Sequence, residues 1–162
     1  MPGMPVDVGD GVTVQSDIAW ASSNSSPGVD WTIDGFQLND LWFVTGIASG
    51  SRPFGQQLPA YSSSMLPNDV MDLLVSVLAQ AGDQQIRASA LRPAPFGQTM
   101  GFRCDLSFVA RDGQQERGTA LFAQRQGKLD MIVYLAPEEY YFDHGLPAIE
   151  KVFGSIRTAG GA

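Results

Sequence analysis

The residues with the most obvious chemical potential are Asp143 and His144, with Glu138 and Glu139 a turn or two upstream. An imidazole oriented by a carboxylate is the core of many acid–base and metal sites. A zinc site needs three or four convergent ligands, however, and His144 is the only histidine in the chain. Adjacent residues on a helix also point in different directions, so Asp143 is not placed to orient His144, and an acidic turn with an exposed histidine is the simpler reading. Cys104 becomes a nucleophile only if the fold carries His144 to it, and it sits between Phe102 and Leu106 in an apolar row, where a thiol behaves as a small hydrophobe. Ser62-Ser63-Ser64 lack a nucleophile-elbow context, and Ser49-Gly50-Ser51-Arg52 precede no helix start that would complete an anion cradle. Asp7-Val8-Gly9-Asp10 has too few carboxylates at regular spacing for a calcium loop. The expectation is no metal site and no cofactor.

Aromatic residues offer a different chemistry, that of contact. Trp42, Phe43 and Tyr134 read as core. Tyr140, Tyr141 and Phe142 are consecutive and cannot all face inward from one turn, so they are candidate binding residues, together with Phe54 and Tyr61 in the 48–64 segment. The bland alternative is that Tyr140 to Phe142 only anchor the last connection.

These side chains must be positioned by a fold that the composition bounds. With 162 residues, 44% of them hydrophobic, the chain suits one domain with a proper core, expected over 12–157 with irregular ends at 1–11 and 158–162. The formal charge of −7 repels phosphate backbones and argues against a nucleic-acid partner. No apolar run is long enough to span a bilayer. Met1-Pro2-Gly3-Met4-Pro5 has neither the basic nor the apolar region of a signal peptide, so the protein is cytoplasmic, or it is periplasmic or a membrane-anchored lipoprotein whose export signal has been trimmed. A lone cysteine fits either compartment.

The strongest periodicity lies between Thr99 and Leu135. Met100, Phe102, Cys104, Leu106 and Phe108 alternate with polar or small residues as in a half-buried strand, and turns at Asp112-Gly113 and Gln126-Gly127 introduce strands over 117–124 and 128–135. In the last of these both parities are apolar, so both faces of the meander must be covered. Upstream, Val12, Val14, Ile18 and Trp20 suggest a first strand, 21–28 a polar loop, Trp31-Thr32-Ile33 a short strand, and Leu41 to Ile47 a central one. Trp20, Trp31 and Trp42 are equally spaced, but their flanks share nothing that would make a repeat. The Asn24-Ser25-Ser26 triplet matches a glycosylation acceptor with no secretory context to support it. Residues 48–64 form the longest loop. Pro67 then opens a helix striped by Val70, Leu73, Leu74, Val77, Leu78 and Ala81 and stopped by Gly82. Ile86, Ala88 and Ala90 suggest a strand that Pro93-Ala94-Pro95 break. After a helical turn over 138–144, broken by Gly145 and Pro147, the residues Ile149, Val152, Phe153 and Ile156 stripe a terminal helix, and Gly160-Gly161-Ala162 should fray. The expected class is α+β, an antiparallel β-sheet with two main helices covering its faces.

Met65 to Asp69, the strands from Met100 to Leu135, and Val152 to Arg157 with its Ser-Ile-Arg ending together resemble the PsbP-like fold. That resemblance implies an α/β/α sandwich, shared by photosystem II extrinsic proteins, a nuclear-import factor that binds the Ran GTPase, and uncharacterised bacterial periplasmic lipoproteins. Trp31 to Gly35, with Leu38, Leu41 and Gly46-Ile47, is similar to the last group. The family supplies no catalytic residues that map onto this chain. The reading is a non-enzymatic binding or accessory module, of the bacterial cell envelope by this resemblance. Its rivals are a small metal-dependent or hydrolytic enzyme centred on His144, and a small-ligand carrier with a pocket between the sheet and the 48–64 loop.

Overall fold

The computed structural model describes residues 3–24, 28–35 and 38–159. Its elements, in order, are β1 (Val6–Gly9), β2 (Val12–Val14), β3 (Ala21–Asn24), β4 (Val29–Thr32), β5 (Asp40–Ala48), α1 (Pro67–Gln80), β6 (Gln84–Phe96), β7 (Thr99–Val109), β8 (Gln115–Arg125), β9 (Lys128–Pro137), α2 (Tyr141–Gly154) and β10 (Arg157–Thr158). Seven strands form one antiparallel sheet in the order β3-β4-β5-β9-β8-β7-β6, and β1, β2 and β10 form a second, small sheet.

The period-two alternation of the meander decides where each helix goes. In β9, Leu129, Met131 and Val133 join the cluster of α1 with Leu73, Leu74 and Leu78. The intervening Ile132, Tyr134 and Ala136 join the cluster of α2 with Ile149, Val152 and Phe153, to which the small sheet adds Val8, Val12 and Val14. Each helix therefore has its own core, on opposite sides of the large sheet. α1 begins as its sequence requires, with Pro67 in the first turn and Asp69 accepting the Leu66 N–H at 3.0 Å.

Several boundaries differ from expectation, each for an identifiable reason. The ends expected to be irregular contribute β1 and β10, because β2 pairs with both and brings them over the α2 core. The first strand stops at Val14, and the 21–24 stretch is strand β3 at the end of the sheet, where Ala21, Ser22 and Ser23 are exposed and polar side chains are no obstacle. β6 runs through Pro93 and Pro95 because it is the other edge of the sheet: two residues apart, both prolines lack their N–H on the same, unpaired side. Its bends occur at irregularities near Gln85 and Ala90, both at positive φ. Helix α2 likewise continues through Gly145 and Pro147. An interior proline costs about 3 kcal/mol, whereas Phe142, Ile149, Val152 and Phe153 are buried on this helix and each contributes about 1.5–3 kcal/mol. Burial wins. Gly145 is there because a side chain would collide with the Tyr134 hydroxyl. The Asn24 triplet runs into residues outside those described, and so does the Gly160-Gly161-Ala162 end.

Candidate functional site: a groove beside the second helix

The connection from β9 into α2 sets the site. The Glu138 N–H still donates to the Gln115 carbonyl at 2.9 Å, extending the β8–β9 ladder, and the Tyr141 N–H then donates to the Glu139 carbonyl at 2.9 Å, closing a three-residue turn around Tyr140. Tyr140 takes φ 72° and ψ −57°, a tight turn geometry that is rare and strained in a non-glycine residue. Its ring consequently points away from the core. It is 62% exposed, lies edge-on to Tyr141 at 5.1 Å, and stacks on His144 at 4.8 Å with 17° between the planes.

The three consecutive aromatics thus diverge. Phe142 is buried and stacked on Tyr134 at 5.3 Å, with the Arg117 guanidinium 4.3 Å above its ring centre. Tyr141 is half-buried. The Tyr134 hydroxyl donates to the carbonyls of Tyr141 and Phe142 at 3.1 and 3.0 Å, which locks the first turn of α2 onto β9. Asp143 pairs with Arg117 at 3.6 Å, while His144 stacks on Tyr140.

His144, on which Tyr140 stacks, also lines a groove of about 420 Å³ that runs along α2. One wall is His144, Pro147, Ala148 and Lys151, whose spacing puts them on a single face of the helix. The facing wall is the 16–18 segment and Ile33. Ile18 and Ile33 are exposed. Ile33 is fixed by buried Asn39, whose side-chain oxygen accepts the Ile33 N–H at 2.9 Å and the Thr32 hydroxyl at 2.7 Å. A surface ion pair, Lys151 Nζ to Asp17 at 2.9 Å, bridges the two walls. Ser16 and Ile18 also line an adjoining hollow of about 220 Å³ with Trp20 and Trp31, where the Trp20 indole N–H donates to Ser16 Oγ at 2.7 Å.

Phe54 and Tyr61 are not part of this arrangement. Both lie on the α1 side of the sheet, Phe54 edge-on to Trp42 at 5.7 Å and Tyr61 fully buried. Burial raises the Tyr61 phenol above its ordinary pKa. The loop is pinned there, since Gly50 donates to the Tyr61 carbonyl at 2.6 Å and Tyr61 to the Ser51 carbonyl at 3.0 Å. Tyr61 and Phe142 are therefore core residues, a correction to their reading as contact residues. Between the loop and the sheet there is an open hollow of about 500 Å³, which Val44 to Ala48 and Ser51 line and Phe54 and Tyr61 do not.

Cys104 faces the α1 core, with the sheet between it and His144. Burial pushes its thiol up to about 11. Among the described residues no group of three or more His, Cys, Asp and Glu side chains is arranged to hold a metal ion.

Two charged features escaped the sequence reading. On the α2 face, buried Asp130 accepts from the Gly46 N–H at 2.9 Å and from Arg125 Nε at 3.0 Å, and Arg125 in turn donates to the Asp10 carbonyl at 2.9 Å. This network ties the β1–β2 turn to the irregularity in β5. An aspartate between Leu129 and Met131, in a strand covered on both faces, was a signal that such a partner must exist. The second feature is a row of carboxyls formed by Asp30, Asp40 and Glu116, which only strand register brings together.

Element order, sheet topology and helix placement define the class: this is a PsbP-like fold, α+β with antiparallel sheets and two helices. The solution structure of cyanobacterial PsbP (CyanoP) from Synechocystis sp. PCC 6803 superposes with a TM-score of 0.61 over 92% of this chain and 87% of that one, at 13% sequence identity. No family model and no curated protein matches the sequence. Among the described residues no helix is long and apolar enough to cross a membrane.

Proposed function

We propose that this chain is a non-enzymatic binding or accessory module with an α/β/α sandwich as its scaffold, and that it engages a partner protein through the groove beside α2. One observation carries the reading: Tyr140 is held in a strained turn that exposes its ring and stacks it on His144, a residue that lines the groove. Strain of this kind persists only where the surrounding structure enforces it, and it concentrates at sites of function. A tyrosine also supplies a large contact area at low entropic cost, which makes it a frequent anchor of binding surfaces. Ile18 and Ile33 provide apolar area on the facing wall, and His144 supports the Tyr140 ring from below.

The test is a quantitative capture experiment in extracts of the source cells, with four baits. A specific partner is enriched by the wild type, lost with Tyr140→Ala and Ile33→Asp, and retained with Met100→Ala, an exposed apolar residue that lies outside the groove. Finding no protein that discriminates between these baits would end the proposal. A role in the bacterial cell envelope is supported by the likeness of Trp31 to Gly35 and its flanks to periplasmic lipoproteins. Fractionation of cells expressing the tagged natural gene product tests it, and recovery in the cytosol alone contradicts it.

A further inference from the structure

Asp30 in β4 is registered with Trp42 of β5, which places it diagonal to Asp40 on the same face of the sheet. Asp40 lies opposite Leu135 of β9, and Leu135 opposite Gly118 of β8, so Glu116 stands on that face one strand further along. One carboxyl oxygen of Asp30 and one of Asp40 are shut off from solvent with no hydrogen-bond partner. An ionised oxygen in that position is costly, since burial of a charge is tolerated only when it is paired.

Among the described residues none of the ion pairs involves Asp30, Asp40 or Glu116. Glu116 is also acted on by Asp112 in the β7–β8 turn and Asp83 after α1, both of the same sign. Arg111 packs over Gly82 beside Asp83, and Arg52, in the loop after β5, is turned to the Leu58 carbonyl. Burial pushes the Asp30 carboxyl up to about 6. Asp40 is raised to about 7 by burial and then by the charges of Asp30 and Glu116. Burial, followed by Asp112 and Asp83, raises Glu116 to about 7.

We infer that this row makes the seam between β4 and β5 proton-operated: with its carboxyls protonated the β3–β4 pair stays joined to β5, and their ionisation above neutral pH loosens it. The seam is the natural place to yield. Among the described residues the β4–β5 ladder has three residue pairs, Val29 with Phe43, Asp30 with Trp42 and Trp31 with Leu41, and β3 beyond it is the last strand of the sheet on that side. Ionising Asp30 and Asp40 together sets two like charges diagonally across that seam, partly shut off from water, where they repel. The loosened pair carries Trp31, and Ile33 directly follows it, so both hollows beside α2 change shape with pH. That last consequence rests on the proposed function; the device itself does not.

The test uses the free protein. Amide hydrogen exchange is measured at about pH 5 and about pH 8, corrected for the intrinsic pH dependence of exchange. Residues 29–32 should open at least about tenfold more often at the higher pH, the factor that one unit of pKa shift represents, while β7 and β8 keep their protection. In the doubly substituted Asp30→Asn, Asp40→Asn protein that difference should vanish. Carboxyl carbon resonances of the wild-type protein supply a readout that needs no variant, with Asp30 and Asp40 titrating well above the ordinary aspartate value near 4. Equal protection of β4 at both pH values, persistence of the difference in the double variant, or ordinary titration of both carboxyls would overturn the inference.

Discussion

At the scale of single residues, neighbours in sequence do opposite jobs here. Tyr140 is displayed while Phe142 is buried, so the two substitutions separate contact from stability. Phe142→Ala should cost about 3–5 kcal/mol, as for other buried aromatics. Tyr140→Gly should stay within about 1 kcal/mol of the wild type, because glycine relieves the positive-φ strain while adding chain freedom to the unfolded state. Denaturant titration of both variants checks this, and a loss above about 2 kcal/mol for Tyr140→Gly would mean that the turn is not strained. Cys104, fully buried with its thiol pushed up to about 11, should resist thiol reagents in the native protein and react once unfolded. Its burial was legible in the alternation of β7. The divergence of Tyr140, Tyr141 and Phe142 was legible only in part: their crowding showed that one must face out, but not which, since that follows from a backbone turn without a glycine to announce it. Tyr61 misled for the converse reason. A tyrosine isolated in a Gly- and Ser-rich loop looks exposed, and only the tertiary fold shows it buried in the α1 core.

At the scale of elements, the two helices and the meander were readable because their apolar residues repeat at 3.6 or at two over long stretches. Strands β1, β3 and β10 were not, being two to four residues long and fixed by their partners rather than by their own pattern. The apparent break in α2 shows the same limit, since local propensity at Gly145 and Pro147 yields to the burial of the residues around them. Two substitutions probe this. Leu74→Ala, facing the sheet from α1, should lower stability by about 2–5 kcal/mol, and a loss below about 0.5 kcal/mol would mean that the stripe is exposed. Gly145→Ala should destabilise the protein even though alanine is the better helix former by about 1 kcal/mol, because its methyl group meets the Tyr134 hydroxyl that holds α2 to β9. A stability gain in Gly145→Ala, measured by thermal unfolding, would show that helix and sheet are not in such close contact.

At the scale of the whole molecule, the half-buried carboxyl row sets the pH dependence of stability. Asp30, Asp40 and Glu116 have folded-state values of about 6, 7 and 7, against roughly 4 in an unfolded chain. Between those values the folded state holds more protons, so their stabilising effect is complete below about pH 4 and is lost as pH rises through about 7. Thermal unfolding should therefore show a midpoint that falls from about pH 5 to about pH 8, with a shallower fall in Asp30→Asn, Asp40→Asn. A midpoint that rises over this range would contradict the assignment. The fold class could be inferred before any coordinates because it depends on patterns that extend along the chain. The groove could not, because its walls come from segments more than a hundred residues apart, Asp17 and Lys151 among them. Its role as a binding surface is the central claim, and the most direct measurement is the affinity of the captured partner for three forms of the protein by titration calorimetry. The account predicts that Tyr140→Ala weakens binding by about 30-fold, the equivalent of about 2 kcal/mol at a hot spot, while Phe54→Ala, on the opposite side of the sheet, binds as the wild type does. Undiminished affinity in Tyr140→Ala would contradict it.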